Sequence, residues 1–230
     1  MYQAYKLADD QIVLALKNGG TCLECGAQRG QKFDFLHRQA GLSSSAYFGI
    51  EWNPEAVAAA HRKGLNVDEG DLNRNMNFSD DSFRCIFGLS VLEHLLNPCN
   101  FLREAYRCLE PNGTLVLLTP NISTYFAMVQ LLLGKMPSSG PHPDSESLIK
   151  REIIFQVGNT VEPDIEGDFP SHRHLIVFSY RVLTTYLEML GFRDINRRGF
   201  GLYPFPNFSQ RILERIDPYH CHQMVFVAKK

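Results

Sequence analysis

Thr21-Cys22-Leu23-Glu24-Cys25-Gly26-Ala27-Gln28-Arg29-Gly30 is the stretch that decides the fold of this chain. Thr21 to Glu24 reads as a short apolar strand, Gly26 to Gly30 as a tight turn, and Gln31 to Gln39 as the helix that leaves it. A second strand, Ala46 to Ile50, places Glu51 at its C-terminal tip. Strand, glycine turn, helix and a second strand ending in a carboxylate form the ligand-binding half of a doubly wound sheet. Glu51 at that tip can accept both hydroxyls of an adenosine ribose.

Glu24 restricts what such a crevice binds. A dinucleotide enzyme lays a pyrophosphate on the helix N-terminus and needs GxGxxG with no negative charge beside it. Here the turn is GxxxG and a carboxylate immediately precedes it. At roughly 5 Å and an effective dielectric of about 20, two like charges repel by about 3 kcal/mol. The same carboxylate attracts an ammonium and a sulfonium, so Glu24 argues against NAD and for S-adenosylmethionine.

With these residues in view the sequence resembles the class I S-adenosylmethionine-dependent methyltransferases of small-molecule type. That family opens on an acidic residue followed by GxGxG, which Glu24 to Gly30 match except that Gln28 stands at the middle glycine. The match continues through Gly49-Ile50-Glu51, Gly70-Asp71-Leu72, Ser90-Val91-Leu92-Glu93-His94 and Leu109-Glu110-Pro111-Asn112-Gly113-Thr114-Leu115. The resemblance implies a Rossmann-like α/β sheet, mostly parallel with an antiparallel last strand. It also implies a cofactor site of Glu24, Gly26, Ala27, Gln28, Gly30, Glu51, Trp52, Asp71, Leu72 and Ser90. Within it, the glycine turn and Glu24 hold the methionine moiety, Glu51 the ribose, and Asp71 with Leu72 the adenine. A positive φ at Gln28 costs about 1–2 kcal/mol, which weakens a micromolar site of about 8 kcal/mol without abolishing it.

Composition narrows the remaining classes. A chain of 230 residues with 44% hydrophobic content builds one α/β domain over residues 1–230, with a real core. A net charge of -2 gives no electrostatic reason to expect nucleic acid. Residues 1–20 carry Asp9 and Asp10 and no long apolar core, so no secretory signal is read there. No apolar run is long enough for a membrane span, and the cytoplasm is the expected compartment. The six cysteines sit in apolar patterns, and Cys22 and Cys25 lie on opposite faces of a strand, so neither a disulfide framework nor a redox pair is expected.

Along the chain, residues 8–18 read as an amphipathic helix capped by Asp9, forming with residues 1–20 an N-terminal cap over the cofactor mouth or against the sheet edge. Asn53 caps a helix with Pro54 at its first position and Gly64 beyond its end. Leu65 to Val67 is the third strand and Phe83 to Leu89 the fourth. Phe101 to Leu109 is helical, Pro111 to Gly113 a turn, and Thr114 to Thr119 the fifth strand. His94 stands at the rim where open α/β sheets place ligands, and it can serve as general base or substrate contact.

Residues 122–170 form an insertion after the fifth strand, with a helix over Ser123 to Leu133 and an apolar run over Leu148 to Val157. Loops of this length at such a rim are lids or binding elements. It is therefore read as the acceptor-binding element, with Tyr125, Phe126 and His142 as candidates; the alternative is a dimerisation or edge-covering element. His172 and His174 alternate like strand residues and can face the same pocket, and two histidines without a carboxylate cluster do not predict a metal. Ser179 caps a helix over Tyr180 to Leu190. Phe192 to Gly199, a helix from Phe208 to Ile216, and Gln223 to Ala228 complete the sheet.

The expected activity is in-line methyl transfer from S-adenosylmethionine to a small-molecule acceptor. Oxygen is favoured because the Asn-Pro-Pro-Tyr type signature of amino-group modifiers is absent. The protein is expected as a monomer or homodimer. Gln28 motivates a competing reading, a cofactor-binding module without turnover; a nicotinamide oxidoreductase ranks third.

Overall fold

The computed structural model describes residues 2–152 and 173–230. Its centre is a seven-stranded sheet of order β3-β2-β1-β4-β5-β7-β6. The strands are β1 (Cys22–Cys25), β2 (Tyr47–Glu51), β3 (Asn66–Glu69), β4 (Phe83–Leu89), β5 (Leu109–Pro120), β6 (Arg193–Phe200) and β7 (Gln223–Lys229). The first five run parallel, and β7 pairs antiparallel with both β5 and β6. This is the expected doubly wound, Rossmann-like sheet with an antiparallel last strand.

Strand order reverses beside β1, which pairs with β2 on one side and β4 on the other. Connections leave the two flanks in opposite directions there, and a crevice opens at the strand tips. The helices that cover the sheet are α1 (Tyr2–Leu16), α2 (Gln31–Ala40), α3 (Pro54–Arg62), α4 (Pro98–Cys108), α5 (Tyr125–Leu132), α6 (Glu146–Glu152), α7 (Tyr180–Leu190) and α8 (Asn207–Ile216). Local chemistry explains their ends. Asn53 Oδ1 accepts from Glu55 N and Ala56 N at 2.9 and 3.3 Å at the start of α3. Ser179 caps α7 through Val182 N, and Gly191 closes it in the left-handed region at φ 97°.

Three sequence expectations change. The first helix starts at Tyr2 instead of Ala8 and is not capped by Asp9. Ala4, Ala8, Ile12 and Leu16 form one fully buried stripe, so the apolar period continues upstream and carries Asp9 into the helix interior. Asp9 instead pairs with Lys32 on α2 at 2.7 Å. The stripe lies against β4, β5 and β7, in the middle of the sheet face and not at its edge. The third strand is displaced to Asn66–Glu69. The fifth begins at Leu109 and runs through the Pro111–Gly113 segment, where Asn112 takes φ 65° and the pairing with β4 shifts register between Phe83 and Cys85.

Two apolar layers sandwich the sheet. On one face Leu23, Ile86, Leu115 and Leu117 pack with Phe101, Leu102 and Leu183 from the covering helices. On the other, Cys22, Cys85, Phe87 and Val116 pack with the α1 stripe and Leu36. Cys22 and Cys25 are both buried, and burial pushes both thiols up, which keeps them protonated small hydrophobes. Within the insertion, α5 is capped by Thr124, whose Oγ1 accepts from Ala127 N at 3.0 Å. The Leu148 to Val157 run includes part of α6, and its remainder lies outside the described residues. No helix among the described residues is long and apolar enough to cross a membrane.

Candidate functional site

A cleft of about 1230 Å³ lies over the tips of β1, β2, β3 and β4. Of the residues expected from sequence, Gly26, Gln28, Glu51, Trp52, Asp71, Leu72, Ser90 and His94 line it. The structure adds Asn53, Asn73, Arg173 and Leu175, among others. Glu24, Ala27 and Gly30 are not among the lining residues; they form the underside of the glycine turn.

That turn is bolted to the second strand. Gly26 N and Ala27 N both donate to Ile50 O, at 2.9 and 3.0 Å. Gly26 and Gly30 have φ 75° and 67°, where a side chain is strained. A Cβ at Gly30 would meet Leu65 Cδ1 at 2.3 Å, and one at Gly26 would meet Val91 Cγ2 at 2.8 Å. Gln28 also sits at positive φ, 48°. Its backbone N–H offsets part of that strain by donating to Glu51 Oε2 at 2.8 Å.

Glu51 is 5% exposed at the tip of β2. Its second oxygen accepts from Asn53 N at 3.0 Å. Each carboxylate oxygen therefore takes one backbone N–H and retains a lone pair for a ligand hydroxyl. Trp52, 76% exposed, stands at the mouth beside it. Asp71 is an exposed rim residue whose Oδ1 accepts from Asn73 N and Nδ2 at 2.9 and 2.8 Å, while Leu72 is buried. Asn73 in turn accepts from Leu96 N and Asn97 N at 2.7 and 2.9 Å, tying the β3 loop to the segment after β4.

Glu24 behaves differently from the standing charge that sequence suggests. Burial pushes its carboxyl up to about 8, against the downward pull of the Tyr47 hydroxyl and of Lys32. Tyr47 donates that hydroxyl to Glu24 Oε2 at 2.5 Å. Below about 8 the group is mostly protonated, and a cation placed near it favours the ionised form.

Beyond β4, Ser90 takes φ 57° and its Oγ lies 2.8 Å from Tyr5 Oη of α1. The chain then turns through a short 3-10 segment, Leu92–His94, whose His94 lines the cleft. Leu175 N donates to Glu93 O at 2.7 Å, which lays residues 173–175 alongside this segment. His94 Nδ1 lies 3.0 Å from Arg173 O, so that nitrogen carries the proton and the basic lone pair resides on Nε2.

The returning chain brings His174 to His94, ring centroids 5.1 Å apart. His174 Nδ1 lies 2.7 Å from Ser139 O, and burial holds this imidazole down to about 4, neutral at physiological pH. His142 stacks on it at 5.1 Å, and its Nδ1 accepts from His174 N at 3.3 Å; neither His142 nor His174 lines the cleft. Tyr125 is also outside the lining: its hydroxyl donates to Asp217 Oδ2 at 2.5 Å and its ring stacks on His220. His172 lies outside the described residues.

Glu93 was missed as a site residue by sequence reading. It is 2% exposed, accepts from Thr119 Oγ1 at 3.0 Å, and burial pushes its carboxyl up to about 7. Its place inside an apolar SVLEH run gave no signal beyond the motif itself.

Comparison with known proteins agrees with this geometry. A family model described as a methyltransferase domain matches residues 2–196. An uncharacterised 37.1 kDa protein of transposon TN4556 from Streptomyces fradiae is 31% identical over 113 residues, 47% of this chain and 32% of that protein. A probable S-adenosylmethionine-dependent methyltransferase of Mycolicibacterium smegmatis is 28% identical over 109 residues, 46% of this chain and 40% of that protein. The matched segment thus spans well under half of either curated relative. Among solved structures, a methyltransferase of Thermotoga maritima described as a possible histamine N-methyltransferase superposes with a TM-score of 0.57. It is 15% identical, with 99% of this chain and 90% of that one covered, a likeness of fold.

Proposed function

This chain belongs to the class I S-adenosylmethionine-dependent methyltransferases, and from that premise we propose that it moves the sulfonium methyl of S-adenosylmethionine to an oxygen of a small-molecule acceptor. The observation that carries the reading is Glu51, a buried carboxylate at the cleft whose two oxygens are oriented by Gln28 N and Asn53 N. It supplies a fixed pair of acceptors for a ribose diol. Trp52, Asp71 and Leu72 would hold the adenine, and Gly26 with Glu24 behind it would hold the methionine moiety, the ionised form of Glu24 being favoured by a bound ammonium and sulfonium.

Ser90, His94, Arg173 and Leu175, which line the cleft beside the Leu92–His94 turn, would meet the acceptor. The sulfonium is already activated, so the protein's task is alignment and exclusion of water. His94, whose Nδ1 donates to the Arg173 carbonyl, carries its lone pair on Nε2, and to this atom we assign the proton of a hydroxyl acceptor.

Calorimetry with S-adenosylmethionine and S-adenosylhomocysteine, then a screen for S-adenosylhomocysteine release over hydroxyl and amine acceptors, tests the proposal. Tight binding with release on hydroxyl compounds supports it. Binding without release on any acceptor favours the non-catalytic module that Gln28 motivates. Release on amines alone moves the acceptor atom to nitrogen.

A further inference from the structure

We propose that Glu93, His94 and His174 form a divalent-cation site of the zinc class at the acceptor end of the cleft. One ligand atom from each lies within 4.8 Å of the other two. A carboxylate and two imidazoles suit Zn²⁺, Co²⁺ or Mn²⁺ better than Mg²⁺, which prefers all-oxygen shells.

Two independent features point to a ligand. First, both imidazoles are held in the tautomer a metal needs. Nδ1 of His94 faces the Arg173 carbonyl at 3.0 Å and Nδ1 of His174 faces the Ser139 carbonyl at 2.7 Å. Metal-bound histidines characteristically donate their second ring N–H to a carbonyl or carboxylate, which fixes the ring and leaves the other nitrogen to the ion. Second, Glu93 is a carboxylate buried to 2% exposure whose hydrogen-bond donors, the Thr119 hydroxyl and its own backbone N–H, are both neutral. No lysine or arginine among the described residues pairs with it. A buried carboxylate ordinarily sits with a cation, and here the nearby groups are two more metal-ligating side chains.

The group is not yet closed to bonding geometry. A tetrahedral ion at about 2.1 Å from each atom needs ligand pairs about 3.4 Å apart. The ligand atoms, now within 4.8 Å of one another, would have to draw together by up to about 1.4 Å through torsional adjustments of the three side chains. Three protein ligands leave a coordination position open, the pattern of catalytic rather than structural sites. An acceptor oxygen reaching it past His94, the one of the three that lines the cleft, is the natural occupant. That use deepens the proposed methyl transfer and rests on it; the existence of the site does not. It makes His94 a ligand and not the proton acceptor.

The full chain, freed of metal with chelator, is dialysed against Zn²⁺ and its metal content read by atomic emission. We expect one equivalent per chain, with Mg²⁺ failing to compete. E93Q and H174N should each weaken Zn²⁺ by about tenfold or more with unchanged circular dichroism, while H61Q, on the remote α3, binds as the parent does. A small fraction of an equivalent, or full retention in E93Q and H174N (an adventitious ion only), overturns the proposal. Should either variant fail to fold, Co²⁺ added to the parent decides: visible bands of imidazole-bound cobalt that Zn²⁺ bleaches support it, and their absence overturns it. S-adenosylhomocysteine affinity is read in parallel. Its loss with Zn²⁺ binding intact would strike the methyltransferase reading and leave the cation site standing.

Discussion

Replacing Glu51 by glutamine is the sharpest perturbation of the cofactor half of the cleft. Both carboxylate oxygens are engaged, Oε2 by Gln28 N at 2.8 Å and Oε1 by Asn53 N at 3.0 Å. A glutamine offers one oxygen and one NH₂ group, so one of the two backbone donors must face another donor. Loss of one hydrogen bond to a charged group, with the N–H left unpaired, costs about 1.5–3 kcal/mol of stability. The ribose diol loses an acceptor as well. A second loss of about the same size raises Kd for S-adenosylhomocysteine by roughly 10- to 150-fold. Chemical denaturation reads the first effect and isothermal calorimetry the second. Glu55→Gln, an exposed change on the first turn of α3, serves as the control and should leave both nearly unaltered. A Glu51→Gln protein that melts with the parent and binds the ligand within about threefold of it would refute the assignment of Glu51 as the organiser of turn and ribose together.

The remaining expectations concern the turn and its underside. Glu24 holds its proton up to about 8 in the folded protein, well above the ordinary carboxylate value. The folded state therefore binds more protons than the unfolded one between those values, and stability falls as pH rises through about 8. Denaturation from pH 5 to 9 should show this slope in the parent and a flatter profile in Glu24→Gln. S-adenosylmethionine affinity should rise over the upper part of that range in the parent only, since the cation favours the ionised carboxylate. Gln28→Gly relieves a residue at φ 48° and is expected to gain about 0.5–1 kcal/mol after the entropy of glycine is set against the strain. Unchanged ligand affinity would confirm that the side chain is a bystander, whereas a loss would give it a contact. Gly30→Ala places a Cβ 2.3 Å from Leu65 Cδ1 at φ 67° and should destabilise by about 1–3 kcal/mol, read as a drop in melting temperature.

Most of the sheet could be read in advance because its signals are local. Asn53-Pro54 starts α3 where the cap chemistry says it should, and Phe83 to Leu89 is a strand with the expected bounds. Gly26 and Gly30 were legible because only glycine enters the left-handed region freely. The errors arose where tertiary packing overrides a local signal. Asp9 resembled a cap until the buried alanines upstream extended the helix past it. Pro111 to Gly113 resembled a break but is carried as an irregularity in the register between β4 and β5. The acceptor end was least visible. His94 and His174 are eighty positions apart in the sequence, and only the return of the insertion against the Leu92–His94 turn brings their rings together. The raised carboxyl of Glu24 was equally hidden, since a strand-tip acid looks the same in sequence whatever surrounds it.

The position of β7 has a consequence for how the chain is made. It is made after β6, yet it slots between β5 and β6 and pairs with β5 at seven positions from Thr114 to Pro120. Until it arrives, β6 has no partner in the sheet and the nascent β5 carries a bare apolar edge. Such an edge is where misassembly begins. Synthesis of β7 is thus the step that covers the β5 edge and joins β6 to the sheet.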